Sequence, residues 1–178
     1  MSSKPGTPAP CRVVPSPCRV ALALGSNRCH GRHGRPAAVL RAAARALAEL
    51  GLTSARLSPI IATAPVGPSD RRFANAVLVG GWAGDALSLL AAVKALERNF
   101  GRRPGRRWGA RVLDIDIIAF GSARIRQPGL SIPHPHMADR LFVLTPLLAL
   151  WPGWRHPATG RTVRHMAHRL ARRRPQDG

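Results

Sequence analysis

Val112-Leu113-Asp114-Ile115-Asp116-Ile117-Ile118-Ala119-Phe120 decides the fold. Apart from its two acids, the segment is a run of apolar and β-branched residues, and it reads as a buried strand. Directly upstream lies the Gly- and Arg-rich stretch GRRPGRRWG, residues 101–109. Before it, Asp85 to Phe100 reads as a helix, with Asp85 as its N-cap and Gly101 as its stop. Further back, Ser54 to Ala64 (SARLSPIIATA) and Phe73 to Trp82 (FANAVLVGGW) read as two strands around a loop that contains P-V-G-P. Pro36 to Leu50 opens on a proline suited to the first helical turn and closes at Gly51, so it is expected to be a helix. Arg19 to Leu24 (RVALAL) is the first strand, stopped by Gly25-Ser26-Asn27.

The resulting order, β-α-β-β-α-β, predicts an α+β fold: a ferredoxin-like antiparallel sheet with helices packed on one face. Downstream, Ile125 to Leu130 adds a short strand and Ala138 to Leu150 a helix. Arg161 to Arg174 forms a last, very basic helix, a C-terminal extension. The expected organisation is a disordered leader over 1–18, a catalytic domain over 19–160, and a basic helix and tail over 161–178.

Composition narrows the function. A chain of 178 residues is one domain by length and large enough for a real core. No apolar run reaches the roughly 18 residues that a membrane span needs. The first 18 residues (MSSKPGTPAPCRVVPSPC) lack an apolar h-region, so they read as a leader without order rather than a secretion signal. Cys11, Cys18 and Cys29 form no C-x-x-C pair, which argues against a disulfide framework or structural zinc and fits a reducing cytoplasm. Cys29, His30 and His33 lie close enough in sequence to suggest a soft metal, but read better as polar loop residues. The net charge of +20 comes from 28 basic residues, all Arg except Lys4 and Lys94. Heavy use of Ala, Gly and Pro accompanies them, so the bias follows overall composition and does not itself indicate specific nucleic acid. The charge does favour a polyanionic small partner, and it predicts nonspecific RNA or DNA binding at low salt.

Chemistry concentrates at the central strand. The chain has eight acidic residues, and two of them, Asp114 and Asp116, stand at i and i+2 in an apolar strand. Alternation puts both side chains on one face, about 6–7 Å apart along the backbone. Two carboxylates so placed repel each other and call for a cation between them. An arginine ion pair would serve, and so would two metal ions about 3.5–4 Å apart, with substrate phosphates completing their oxygen shells. Spacing alone leaves both open. Upstream, however, Arg102, Arg103, Arg106, Arg107 and Arg111 are threaded among Gly101, Gly105 and Gly109. Arginine grips phosphate oxygens bidentately, and glycine leaves a segment free to close over a ligand. An arginine run alone reads as a solvated face; one that leads straight into paired acids fits a polyphosphate between them. No G-x-x-x-x-G-K-[ST] loop occurs, which excludes a P-loop enzyme.

Several separate blocks carry a resemblance to 6-hydroxymethyl-7,8-dihydropterin pyrophosphokinase, a family of the folate pathway. They are A-L-G-S-N (Ala23 to Asn27), T-A-P-V-G-P (Thr63 to Pro68), F-A-N-A-V (Phe73 to Val77) and L-E-R-N-F-G-R (Leu96 to Arg102). R-W-G-A-R-V-L-D-I-D-I (Arg107 to Ile117) and I-P-H-P-H-M-A-D-R-L-F-V-L-T-P-L (Ile132 to Leu147) complete the set, which spans roughly residues 19 to 155 in the family's order.

The resemblance implies roles. Asp114 and Asp116 match two Mg²⁺ ligands. Arg102 and Arg111 match arginines that stabilise the transferring phosphates, and the second loop arginine corresponds to either Arg103 or Arg106. His134 and Arg140 match ATP contacts, and Glu97 falls at another position of the nucleotide site. Phe73 and Phe142 match the aromatics that sandwich the pterin ring, Thr63, Val66 and Asn75 line its polar edge, and Trp108 closes over the site. Taken singly, Phe73 and Phe142 read as core residues and His134 as a turn residue. Asn75 is different, because an amide inside an apolar strand must find partners.

The implied reaction is in-line attack of the pterin hydroxymethyl oxygen on the β-phosphorus of ATP, with AMP leaving and no dedicated protein base. The implied partners are ATP and a reduced pterin, with two Mg²⁺ ions, for a monomer or weak oligomer that engages no membrane. Departures from the family pattern are Lys94 where a neutral amide is expected, Pro135 for a commoner Tyr, and Ala110 and Ala64 for prolines. A diverged paralogue acting on another pterin is the alternative reading, and a basic nucleic-acid-binding module a more distant one.

Overall fold

The computed structural model describes residues 16–64, 72–101 and 112–173. Strand β1 (Cys18–Ser26) is followed by helix α1 (Pro36–Glu49), and strands β2 (Thr53–Leu57), β3 (Ile61–Thr63) and β4 (Phe73–Trp82) come next. Helix α2 (Ala86–Asn99) leads to β5 (Asp114–Phe120), a small hairpin of β6 (Ile125–Gln127) and β7 (Leu130–Ile132), and a 3-10 turn, Met137–Asp139. Helices α3 (Leu141–Leu150) and α4 (Val163–Arg173) end the described chain.

The main sheet runs β2-β4-β1-β5, with β3 also on β4, and its pairings are antiparallel. The mixed α+β class and the antiparallel sheet read from the sequence therefore hold. Local chemistry explains the helix limits. Pro36 stands in the first turn of α1, and Gly51 beyond its end has φ +105°. Asp85 accepts the Ser88 N–H at 2.8 Å and caps α2, and that hydrogen bond holds its carboxyl below the usual range. Gly101 follows with φ +80°.

Three expectations change. The strand foreseen over 54–64 is two strands, because at Ser58 the side-chain hydroxyl takes the place of a backbone carbonyl in the ladder. The Ser58 N–H donates to Val77 O at 2.9 Å, and its hydroxyl accepts the Val77 N–H at 3.0 Å. Pro59 beside it has no N–H to continue a ladder. The stretch foreseen as leader over 1–18 includes the start of β1, since Cys18 pairs with Trp82; residues 1–15 lie outside the described chain. The boundary foreseen at 161 is crossed by packing. Val163, Met166 and Ala167 of α4 are buried in one cluster with Ala21, Val77 and Ile118 of the sheet.

Helices consequently cover both faces. On one, Val20, Leu22, Leu24, Ile115 and Ile117 pack against Leu40 and Leu47 of α1 and Leu89 and Val93 of α2. On the other, Ala21, Val77, Val79, Ile118 and Ala119 lie under Val143, Leu144 and Leu147 of α3, with α4 beyond. The β6–β7 hairpin belongs to the first cluster through Ile125, Leu130 and Ile132, whereas Met137 belongs to the second. Between them the chain rounds the edge strand β5, where the His134 N–H donates to Ile118 O at 3.2 Å. That crossing places the 134–142 segment over the acids of β5.

Candidate active site

The paired acids do share a face. Their neighbours along β5, Ile115 and Ile117, are buried in the α1/α2 cluster, and Asp114 and Asp116 point the other way. Register extends the pattern across three strands. Asp116 stands opposite Ala23, which stands opposite Val77; Asp114 stands opposite Gly25, which stands opposite Asn75. Directly paired residues in an antiparallel sheet project to the same side, so Asp114, Asp116 and Asn75 look into one space.

Gly25 is the floor between Asp114 and Asn75. A Cβ there would come within 3.5 Å of Asn75 Oδ1, so glycine keeps the middle of the row low. The β1–β5 register shifts between Ala21 and Leu22, so Ile118 is an extra residue and both it and Ala119 turn toward α3. Bulges of this kind commonly re-aim side chains beside active sites.

Two basic groups flank Asp116. His134 Nε2 and Arg140 Nη1 are each 3.7 Å from Asp116 Oδ2, too long for direct hydrogen bonds. The Asp116 side chain is 38% exposed, so this carboxylate is reachable from solvent. Burial, foremost, pushes the His134 imidazole below its ordinary value; Arg140 and His136 push the same way, against the attraction of Asp116 and Asp114. The ring is therefore neutral at pH 7. Its Nδ1 accepts the His136 N–H at 3.2 Å, which leaves the proton on Nε2, aimed at the acids.

At the other end of the row, Asn75 is buried at 7% exposure and its Nδ2 donates to Thr63 Oγ1 at 2.9 Å. Thr63 pairs with Phe73 across β3–β4, so these three residues meet at one corner of the sheet. Phe142, at the start of α3, packs on the same face, with the Arg140 guanidinium 5.8 Å from its ring centre. The structure thus brings together Thr63, Phe73, Asn75, Asp114, Asp116, His134, Arg140 and Phe142. Val66, Arg102, Arg103, Arg106, Arg107, Trp108 and Arg111 lie outside the described residues.

Glu97 behaves differently from the others. It is 1% exposed; its Oε1 accepts the Ile115 N–H at 2.8 Å and its Oε2 meets Lys94 Nζ at 2.8 Å. The carboxylate expected at the nucleotide is thus engaged with the backbone of β5. Cys29, His30 and His33 also resolve. His30 Nδ1 accepts the N–H groups of Arg32 and His33, and the His33 ring stacks on Phe100 at 4.8 Å.

A metal ion suits this donor set. Two carboxylates on one face, with Asp116 part-exposed and 3.7 Å from His134 and Arg140, offer the hard oxygen ligands that Mg²⁺ takes beside substrate phosphates. Among the described residues no group of three or more His, Cys, Asp or Glu could hold an ion.

An antiparallel α+β sheet that offers paired carboxylates from its edge strand, beside a histidine and an arginine, defines an enzyme that handles a polyphosphate. A family model described as 7,8-dihydro-6-hydroxymethylpterin-pyrophosphokinase (HPPK) matches residues 21–152, and the chain belongs to that family.

The 2-amino-4-hydroxy-6-hydroxymethyldihydropteridine pyrophosphokinase of Pseudomonas aeruginosa is 40% identical over 154 residues, 86% of this chain and 90% of its own length. The protein of that name from Synechocystis is 34% identical over 145 residues, 77% of this chain and 74% of its own. The mitochondrial folate synthesis bifunctional protein of Arabidopsis thaliana is 39% identical over 132 residues, 74% of this chain but 23% of that protein. The solved HPPK-DHPS of Plasmodium falciparum superimposes with a TM-score of 0.69 over 88% of this chain at 17% identity, a likeness of fold alone. This chain spans 46% of the length of that one.

Proposed function

We propose that Asp114 and Asp116 hold the two Mg²⁺ ions for the reaction that family membership assigns to this chain, pyrophosphoryl transfer from ATP to 6-hydroxymethyl-7,8-dihydropterin in folate synthesis. The observation that carries the reading is the shared face of Asp114, Asp116 and Asn75, with Gly25 between them. It sets a hydrogen-bonding corner for a flat heterocycle at one end and a carboxylate pair for phosphates at the other.

At the corner, Asn75 and Thr63 meet the polar edge of the pterin, and Phe73 and Phe142 offer ring faces, joined by Val66. At the other end, neutral His134 donates from Nε2 and Arg140 from its guanidinium to ATP oxygens. Arg102 and Arg111, with Arg103 or Arg106, take up charge on the transferring phosphates, and Trp108 closes over them. When bound, Mg²⁺ neutralises phosphate charge and eases loss of the pterin hydroxyl proton. The side chains contribute alignment: the hydroxymethyl oxygen is held in line with the β-phosphorus, water is kept out by the aromatic pair, and AMP departs. The working context is the cytoplasm, as a monomer or weak oligomer, without membrane or specific nucleic-acid partners.

Incubation with ATP, Mg²⁺ and 6-hydroxymethyl-7,8-dihydropterin tests the reading. AMP is the expected product. ADP would refute pyrophosphoryl transfer, and turnover only with another pterin would favour the paralogue.

A further inference from the structure

The reaction as described leaves one buried ionised group without a task. Glu97, on α2, reaches the backbone of β5 at Ile115, the residue between Asp114 and Asp116. Among the described residues β5 is the edge of its sheet, with a strand paired to it on one side only. Unpaired edges are where strands slip and fray. A carboxylate accepting a backbone N–H at 2.8 Å makes a charge-assisted bond stronger than a ladder bond, and here it fastens the one amide flanked by both acids. Burial of that carboxylate at 1% exposure demands a counter-charge, and Lys94 Nζ supplies it at 2.8 Å while its own side chain stays 41% exposed. This also accounts for the basic residue at 94, where the family resemblance leads one to expect a neutral amide: the ammonium is turned to Glu97, one turn along its own helix.

We propose that Glu97, neutralised by Lys94, is a positioning residue that clamps the edge strand between the two aspartates and fixes their separation. Glu97 acts through the backbone, so its removal loosens the acids without deleting a ligand. The inference rests on the metal-binding role of Asp114 and Asp116 given above, and its test separates the two.

The measurement is hydrogen exchange at the Ile115 amide, followed by NMR in the full chain, together with Mg²⁺ titration and steady-state kinetics. Glu97→Ala speeds Ile115 exchange about 10- to 100-fold, the range expected for loss of a hydrogen bond to a charged acceptor. It also weakens Mg²⁺ binding and lowers kcat about tenfold or more, by the same reasoning, while KM for the pterin changes little. Glu97→Gln keeps an acceptor oxygen and restores both Ile115 protection and most of kcat. Lys94→Gln, which leaves the carboxylate in place without its cation, gives a smaller gain in exchange at Ile115, and Lys94→Gln with Glu97→Gln reverses it.

Unchanged Ile115 exchange in Glu97→Ala overturns the clamp. So does a loss of kcat in Glu97→Gln equal to that in Glu97→Ala, which would mark the charge itself as the ligand contact. Should Glu97→Ala fail to fold, the Gln variants decide alone. Failure of the catalytic reading looks different: the unaltered chain makes no AMP, yet the exchange pattern still answers for the clamp.

Discussion

The two faces of the sheet are built from the same strands and do opposite work. Toward α1 and α2, β1 and β5 present Val20, Leu22, Leu24, Ile115 and Ile117, large and fully covered. Toward α3 the alternate positions are Ala21, Ala23, Gly25, Asp114 and Asp116, small or charged. Beneath α3 and α4 this second face is filled at one end by Ile118, Trp154 and Met166. Toward Gly25 it carries the candidate site. Small residues there leave room for a ligand, and the aliphatic face behind them keeps the acids from moving. Core packing and the candidate site sit on alternate residues of one strand, so substitution should separate them.

The strongest test of that separation is Asp116→Ala. Turnover is expected to fall about 10³-fold or more, several kcal/mol of lost transition-state stabilisation, because the proposed metal ligand is removed. The melting temperature should hardly move, since the carboxylate is 38% exposed and makes only 3.7 Å approaches to His134 and Arg140. Substantial residual turnover, or unfolding, would break the division between faces. The reverse experiment is Leu47→Ala on α1. Deleting a fully buried Leu costs about 2–5 kcal/mol of stability, read by denaturant melting. Activity per folded molecule should hold, and a drop in kcat comparable to that of Asp116→Ala would show that the aliphatic face tunes the chemistry directly. Asn75→Ala is expected to be milder. Losing one buried hydrogen-bonding group corresponds to about 1–3 kcal/mol, seen as a rise in KM for the pterin with KM for ATP unchanged. Equal shifts in both constants would place Asn75 outside the pterin corner.

The sequence carried much of this in short-range pattern. Asp114 and Asp116 are legible because strand alternation alone puts them on one face, and α1 and α2 because Pro36, Gly51, Asp85 and Gly101 mark their ends. What escaped is long-range. The apolar positions of α4, Val163, Met166, Ala167 and Leu170, follow helical spacing, but Arg and His at most other positions hide a stripe that only α3 makes sense of. Lys94 and Glu97 are readable as an i, i+3 pair, whereas the Glu97–Ile115 bond joins residues 18 apart in sequence and depends on how α2 lies against the sheet edge. Gly25 was visible as a stop to β1; in the sheet β1 continues through it to Ser26. Side-chain periodicity predicts which face, and it says little about what arrives on that face from elsewhere.

The smallest expected effect concerns pH and the filled end of the second face. Burial, the largest influence, pushes His156 below its ordinary value, and Arg124 adds to this, partly offset by a backbone hydrogen bond. Its ring lies edge-on to Trp154, whose indole N–H donates to Gly121 O at 2.7 Å and ties the C-terminal section to the end of β5. With the folded value depressed, the unfolded chain takes up the proton first as pH falls through about 6.5. The stabilising contribution is therefore complete above that point, declines through the window down to the folded value, and is absent below it. His156→Gln removes the titration, so melting curves from pH 8 to 5 should fall less steeply than those of the unaltered chain. An unchanged slope would show that His156 gives up its proton as easily in the folded chain as in the unfolded one, and that the end of the face held by Trp154 is more open to water than its packing indicates.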